Sequence, residues 1–256
     1  MMKKITAFLF AALMVVSLFA GCAAKDNGKF IVGLDDSFPP MGFRDENNEI
    51  VGVDIDLAKE VAKRLNMEFV AQPIDWDSKE LELKNGNVSC IWNGMTITDE
   101  RKEAMLISDP YMANNQIIVV APGSDITSSA DLAGKVVGLQ KGSSAVAALD
   151  KTEVRAQIKE VVEYTDNVLA LTDLKVGRTD AVVVDEVVGR YYVAKAADDY
   201  VVLEESLAPE KYGIGFDKGN TELCEKVNKA LKEMKEDGTT AKISEKWFGK
   251  DVSIKK

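Results

Sequence analysis

The chain has 256 residues, a formal net charge of −10 and no histidine. Hydrophobic content of 46% with 29% charged residues fits a soluble globular chain, long enough for one large domain or two medium ones. The acidic balance argues against nucleic acid and anionic membrane surfaces as partners. The missing histidine removes Ser–His and Cys–His nucleophile pairs and histidine-rich metal sites, so no metal or cofactor is expected.

The chain begins with Lys3 and Lys4, then an apolar run over 5–19 broken only by Thr6 and Ser17, then Ala20, Gly21 and Cys22. Small residues directly before a cysteine predict a lipoprotein signal over 1–21, removed so that Cys22 becomes the lipidated terminus. Phe19 stands where an aliphatic residue is usual. The alternatives are an ordinary signal peptide or an uncleaved anchor. Residues 22–28 then read as a tether holding the protein on the outer face of a membrane. Cys90 and Cys224 remain, and both are expected to be buried free thiols.

Residues 30–34 predict a first strand, stopped by Pro39 and Pro40. Apolar residues at 55, 57, 58, 61, 62 and 65 predict a helix over 53–66. A strand over 67–71, a loop at 73–77, a short helix over 81–84 and a buried strand over 88–92 follow. This β-α-β-α-β order predicts a mostly parallel sheet with helices on both faces.

Next comes Asn93-Gly94-Met95-Thr96-Ile97-Thr98-Asp99-Glu100-Arg101. Thr98 is a good N-cap, which puts Arg101 at the third helical position. A strand end, a glycine, hydroxyls, free helix N–H groups and an arginine suit an anion of carboxylate size. An exposed arginine at an ordinary helix start is the plainer alternative.

The pattern breaks at 108–112, the region near 110–116 reads as a crossover into a second lobe, and 116–121 reads as a strand. That lobe is expected to hold strands at 136–139, 158–162 and 181–184 and helices at 143–149, 166–176 and 185–197. Residues 200–203 close it. After a break at Pro209, a strand over 212–216 returns to the first lobe, and helices at 220–236 and 239–247 finish the chain. The expected architecture is α/β: two doubly wound lobes, 29–112 with 209–256 and 113–208, joined by a two-stranded hinge. Residues 83–94 and 174–185 share a shape of helix end, glycine, polar turn and buried strand.

Ligands in open α/β sheets lie beyond the carboxyl ends of strands. The strand-end candidates are Asp35, Phe38, Trp76, Asn93, Gly94, Thr96 and Arg101 in the first lobe. The second lobe offers Gln140, Gly142, Ser143, Ser144 and Asp185. Arg101 and Ser143 could grip one carboxylate from two sides, and Asp185 could accept from an ammonium. That pairing fits an α-amino acid, with Phe38 and Trp76 sandwiching its side chain and Asp35 reading its far end. Each residue also has a plainer reading: Asp185 and Ser143 as helix caps, Phe38 and Trp76 as core covers, Asp35 as a turn former.

The residues Asp35-x-x-Phe38-x-Pro40, 52–56, Gly94 to Arg101, 107–111, 131–138, 180–185, 212–216 and Lys246-Trp247-Phe248-Gly249 carry a resemblance across the mature chain. The sequence resembles the bacterial solute-binding proteins of polar amino-acid ABC transporters, with the type II periplasmic-binding-protein fold. The resemblance implies that Arg101, with Thr96 and Ser143, takes the ligand carboxylate. It implies that Asp185 and the Gly94 carbonyl take its ammonium. It also implies a monomer that delivers the amino acid to a membrane permease. Asn93 and Gln140 depart from the family pattern, so the ligand side chain stays open. Asp35, Asp36 and Asp77 favour a cationic one; Asn93, Asn115 and Gln140 suit a neutral polar one such as glutamine or cystine.

The rival reading is a dehydratase of the same fold acting on prephenate-like or arogenate-like acids, with Glu186 as acid or base. A third, the sensor domain of a signalling receptor, expects a second membrane segment; no other stretch approaches about 20 apolar residues.

Overall fold

The computed structural model describes residues 28–254. The signal segment at 1–21, Cys22 and most of the 22–28 tether lie outside them. Two five-stranded sheets form two lobes, and a small three-stranded sheet lies beside the first.

In the first lobe, β1 (Lys29–Leu34) leads into β2 (Ser37–Phe38), β3 (Gly42–Arg44) and β4 (Ile50–Val51). The prolines at 39 and 40 therefore turn the chain between β2 and β3 of the small antiparallel sheet; they do not end regular structure. α1 (Val53–Arg64) buries Ile55, Leu57, Ala58, Val61 and Ala62 of the expected stripe, and Val53 and Asp54 with them; Leu65, at its C-cap, is half-buried. β5 (Glu68–Pro73), a 3-10 turn at Trp76–Ser78, α2 (Lys79–Lys84), β6 (Cys90–Ile91), α3 (Asp99–Ala104) and β7 (Leu106–Ile107) follow.

The chain then crosses on β8 (Met112–Val120). The second lobe adds β9 (Val136–Gln140), α4 (Ser144–Asp150), β10 (Glu160–Tyr164), α5 (Asn167–Lys175), β11 (Ala181–Asp185), α6 (Glu186–Lys195) and β12 (Val201–Tyr212). Strand β13 (Gly215–Phe216) re-enters the first sheet, and α7 (Thr221–Glu236) and α8 (Thr239–Phe248) pack on that lobe. Trp247 and Lys246 of α8 tie back to α1 by donating to Asp56.

The sheet orders are β5-β1-β6-β13-β7 and β10-β9-β11-β8-β12. Both are mixed: β13 runs antiparallel to β6 and β7, and β8 antiparallel to β11 and β12. Pro209 does not break β12; it pairs with Asn115 on the sheet's edge strand, where a missing N–H is tolerated. The hinge is the β8–β12 ribbon, pairing Val120 with Val201 at one end and Met112 with Tyr212 at the other.

β8 sets the site. Ile117 and Val119 face one way, into an apolar cluster with Val184 and Val188; Ile118 and Val120 face the other, with Ala145 of α4 and Val183. On that second face the strand turns polar at Gln116 and Asn114, beyond the level where α4 begins. The first cluster also holds Phe30, Val32 and Phe38, so apolar packing is continuous between the lobes. Cys90 and Cys224 are free and buried.

Candidate functional site

The segment from Asn93 to Arg101 is held from behind. The Gly94 amide donates to Asp54 Oδ2 at 2.7 Å, and the Tyr111 hydroxyl donates to the same oxygen at 2.9 Å. Asp54 is fully buried, and burial outweighs these bonds, pushing its carboxyl up to about 7. Gly94 has φ +55°, and a Cβ there would meet Phe38 Cε1 at 2.7 Å. Thr98 caps α3, its hydroxyl accepting from the Arg101 amide at 3.1 Å.

Arg101 is buried, which removes the reading of an exposed arginine at a helix start. Its Nη1 donates to Thr96 O at 2.8 Å and its Nη2 to Gly142 O, across the cleft, at 3.1 Å. Its contacts are thus to carbonyls, and among the described residues no carboxylate lies within ion-pair distance. Lys79 is equally buried. Its ammonium donates to Trp76 O and Gly142 O, each at 3.1 Å. Burial and the neighbouring Arg101 push Lys79 down to about 8.

Ser144 Oγ of the second lobe meets Thr96 Oγ1 of the first at 3.1 Å. Ser143 does not cap α4; its hydroxyl donates back to Gln140 O at 2.7 Å. The hydroxyl facing Thr96 therefore comes from Ser144, not Ser143.

Asp185 stands at the start of α6, but its side chain makes no cap bond. Its Oδ1 accepts from Asn114 Nδ2 and from the Tyr212 hydroxyl, both at 2.7 Å. Asn114 Nδ2 also donates to Glu210 Oε2 at 3.0 Å, joining two carboxylates on one amide. Glu210 Oε2 accepts from Gln116 at 3.0 Å and Thr96 at 2.9 Å as well. Burial, then the Glu210 charge, push Asp185 up to about 7. Neither carboxylate has a lysine or arginine within ion-pair distance among the described residues. Asn114 Oδ1 and Gln116 Oε1 are buried acceptors without a donor.

At the far end, Asp35 is part turn and part cleft. Its Oδ1 accepts from the Ser37 amide at 2.8 Å, and its Oδ2 accepts from Gln140 Nε2 across the lobes at 2.7 Å. Burial lifts it to about 6. Gln140 is fixed by Asn167 and Thr165 O. Asn93 Oδ1 accepts from the Asp35 amide, while its Nδ2 is buried without an acceptor. Phe38 and Trp76 are both buried, Phe38 in the apolar cluster shared by the lobes and Trp76 in a separate one with Leu83 and Met95.

Three residues weighed for side-chain reading are spoken for. Asp36 pairs with Arg44 at 2.6 Å, Asp77 with Lys141 at 2.8 Å, and Asn115 turns to the α6 side, donating to Glu186. Glu186 also holds Arg190 at 2.5 Å, so it has no place as a cleft acid or base. Sequence reasoning missed Asp54, Lys79, Asn114, Gln116, Glu210 and Tyr212. The available signals were the alternation of Asn114 and Gln116 beside an apolar strand and the motif stretches 52–56 and 212–216, which contain Asp54 and Tyr212.

Residues 30–250 match the family model of bacterial extracellular solute-binding proteins, family 3. The chain belongs to this family. This solute-binding protein is 32% identical to the L-cystine-binding protein TcyJ of Escherichia coli (strain K12), over 94% of its own length and 95% of the relative's. It is 34% identical to the arginine-binding extracellular protein ArtP of Bacillus subtilis, over 96% and 98%. A histidine-bound substrate-binding protein of an ABC uptake transporter from Streptococcus pneumoniae superimposes with TM-score 0.86 and 38% identity, covering 90% of this chain and 96% of that one. The solute-binding protein thus shares the two-lobed architecture of that solved structure, and its family is one of binding proteins, not of dehydratases.

Proposed function

We propose that this solute-binding protein captures an α-amino acid between its lobes and delivers it to an ABC permease. Arg101, Thr96 and Ser144 hold the carboxylate. Asp185, with Glu210 and the orphan oxygens of Asn114 and Gln116, holds the ammonium. One observation carries the reading: a buried guanidinium without a carboxylate partner shares a cleft with two carboxylates without a cationic partner. Burying unpaired charge is costly unless a complementary group arrives, and a zwitterion supplies both at once. Ser143 drops to a supporting place in the loop before α4. Relatives named for cystine, arginine, glutamine and histidine support the amino-acid class.

Closure follows from one ligand bridging Arg101 on the first lobe and Asp185 on the second. The protein works as a monomer, anchored outside the cell through lipid on Cys22. Thermal-shift screening of the twenty amino acids with cystine and ornithine tests the capture. A ligand at a hundred times its Kd should add about 2.7 kcal/mol. A flat response across the panel refutes the amino-acid reading. Metabolic labelling with palmitate, lost in Cys22→Ala, tests the anchor.

A further inference from the structure

Lys79 is a buried cation at the cleft that this assignment leaves without work, and the inference here rests on the amino-acid reading. Its ammonium and the Arg101 guanidinium each lie 3.1 Å from the same oxygen, Gly142 O. They are therefore roughly 6 Å apart at most. Both also lie against one aromatic ring: Lys79 Nζ is 5.3 Å, and Arg101 Cζ 6.0 Å, from the Trp76 centroid. Trp76 is the wall assigned to the ligand side chain.

A tryptophan face attracts a cation through its negative quadrupole, but here two protein cations already use it. A third cation, brought by the ligand, would meet both at short range in a poorly screened site. The acids that could offset this are committed elsewhere. Asp77 is paired with Lys141 and Asp36 with Arg44; Asp35 keeps its charge at pH 7, but both of its oxygens already accept, from Gln140 and from the Ser37 amide. The polar group left without a partner at that end is an amide, Asn93 Nδ2. We propose that Lys79 is a selectivity residue that sets the cleft against cationic side chains, so that the ligand is an amino acid with an uncharged polar side chain.

The groups that face Lys79 are Arg101 and Glu100 of α3, Glu80 of α2, and Asp77 with its partner Lys141. With its ammonium pushed down to about 8, Lys79 is charged at pH 7 and largely neutral at pH 9. The α-ammonium groups of glutamine and arginine titrate together, so their effect cancels in an affinity ratio.

Calorimetry on the full mature protein at pH 7 should rank glutamine, asparagine, serine, threonine or cystine above arginine, lysine and ornithine by about tenfold or more. Lys79→Met should shrink that ratio by about tenfold, and Lys79→Gln should do the same with a polar isostere. In the wild type the ratio should fall between pH 7 and pH 9; in both variants it should be flat. A purely structural lysine would change stability but not the pH course of the ratio. The inference is overturned if the wild type binds arginine, lysine or ornithine as tightly as its best uncharged ligand, or if its ratio is the same at pH 7 and pH 9. The pH comparison needs no variant, so it stands even if a variant fails to fold. A wild type that binds no amino acid at all refutes the proposed function and this inference together, a result distinct from binding with the wrong preference.

Discussion

Asp185→Asn separates charge from shape at the ammonium end. Both donors to Asp185, Asn114 Nδ2 and the Tyr212 hydroxyl, end on Oδ1, so an asparagine carbonyl can keep both bonds. What changes is the charge. Removing one partner of a buried ionic contact typically costs about 2–5 kcal/mol of binding, or roughly 30- to several-thousand-fold in Kd. Glu210 remains on the same Asn114 amide and should keep the loss toward the lower half of that range. The ligand-free fold should respond in the opposite sense. A carboxylate raised to about 7 by burial and by Glu210 is a strained charge at pH 8, and the neutral amide relieves it. The proton balance gives a second reading. At pH 6 the wild-type Asp185 is mostly protonated and must release its proton to receive an ammonium, so affinity should fall by up to about tenfold per pH unit below 7. Calorimetry in two buffers of different ionisation enthalpy counts that proton. The reasoning is refuted if Asp185→Asn binds within about threefold of wild type, or if both proteins release the same number of protons at pH 6.

Arg101→Met should cost about 2–5 kcal/mol of binding while leaving the far-ultraviolet circular dichroism unchanged; affinity at the wild-type level would remove the carboxylate clamp. Gly94→Ala places a methyl 2.7 Å from Phe38 Cε1 in a left-handed conformation, and should lower stability by about 1–3 kcal/mol in urea titration. The ligand-free protein should be more stable at pH 5.5 than at pH 8. Asp54, Asp185 and Asp35 hold their protons to about 7, 7 and 6, against 3.8 ordinarily, so the folded state binds more protons across that window and stability falls as pH rises through it. Below about pH 4 the sign reverses, because Asp237 is held down to about 2 by Thr239 and Arg64. Asp54→Asn should flatten the limb between pH 4 and 7; an unchanged slope would mean that the Gly94 anchor is not strained.

The elements legible in the sequence were those whose signal is local. Thr98 capping α3, the apolar stripe of α1 and the apolar run 181–184 of β11 each follow from a few adjacent residues. Arg101 and Asp185 were legible because motif and strand end coincide. Residues whose role is created by a partner far along the chain were not. Glu210 reads as a surface acid beside a proline until β12 pairs it with Asn114. Asp54 reads as a helix-start acid until the Gly94 amide, 40 residues on, arrives at its carboxylate. Lys79 reads as a solvated lysine until Gly142 closes over it. The reverse error was made at Asp36 and Asp77, whose charges looked available and are consumed by Arg44 and Lys141.

The order β5-β1-β6-β13-β7 has a consequence for the sequence of events in folding. The second sheet draws every strand from one continuous stretch, 112–212, whereas β13 at 215–216 must slot between β6 and β7 of the first. A chain delivered from its amino end can assemble β9, β10 and β11 while the first sheet still lacks its fourth strand. Long-range closure is the slow part of such a topology. The lobe that begins first should therefore finish last. Pulse-labelled hydrogen exchange should show the amides of Val137 and Val182 protected before that of Phe216, and simultaneous protection would refute that order.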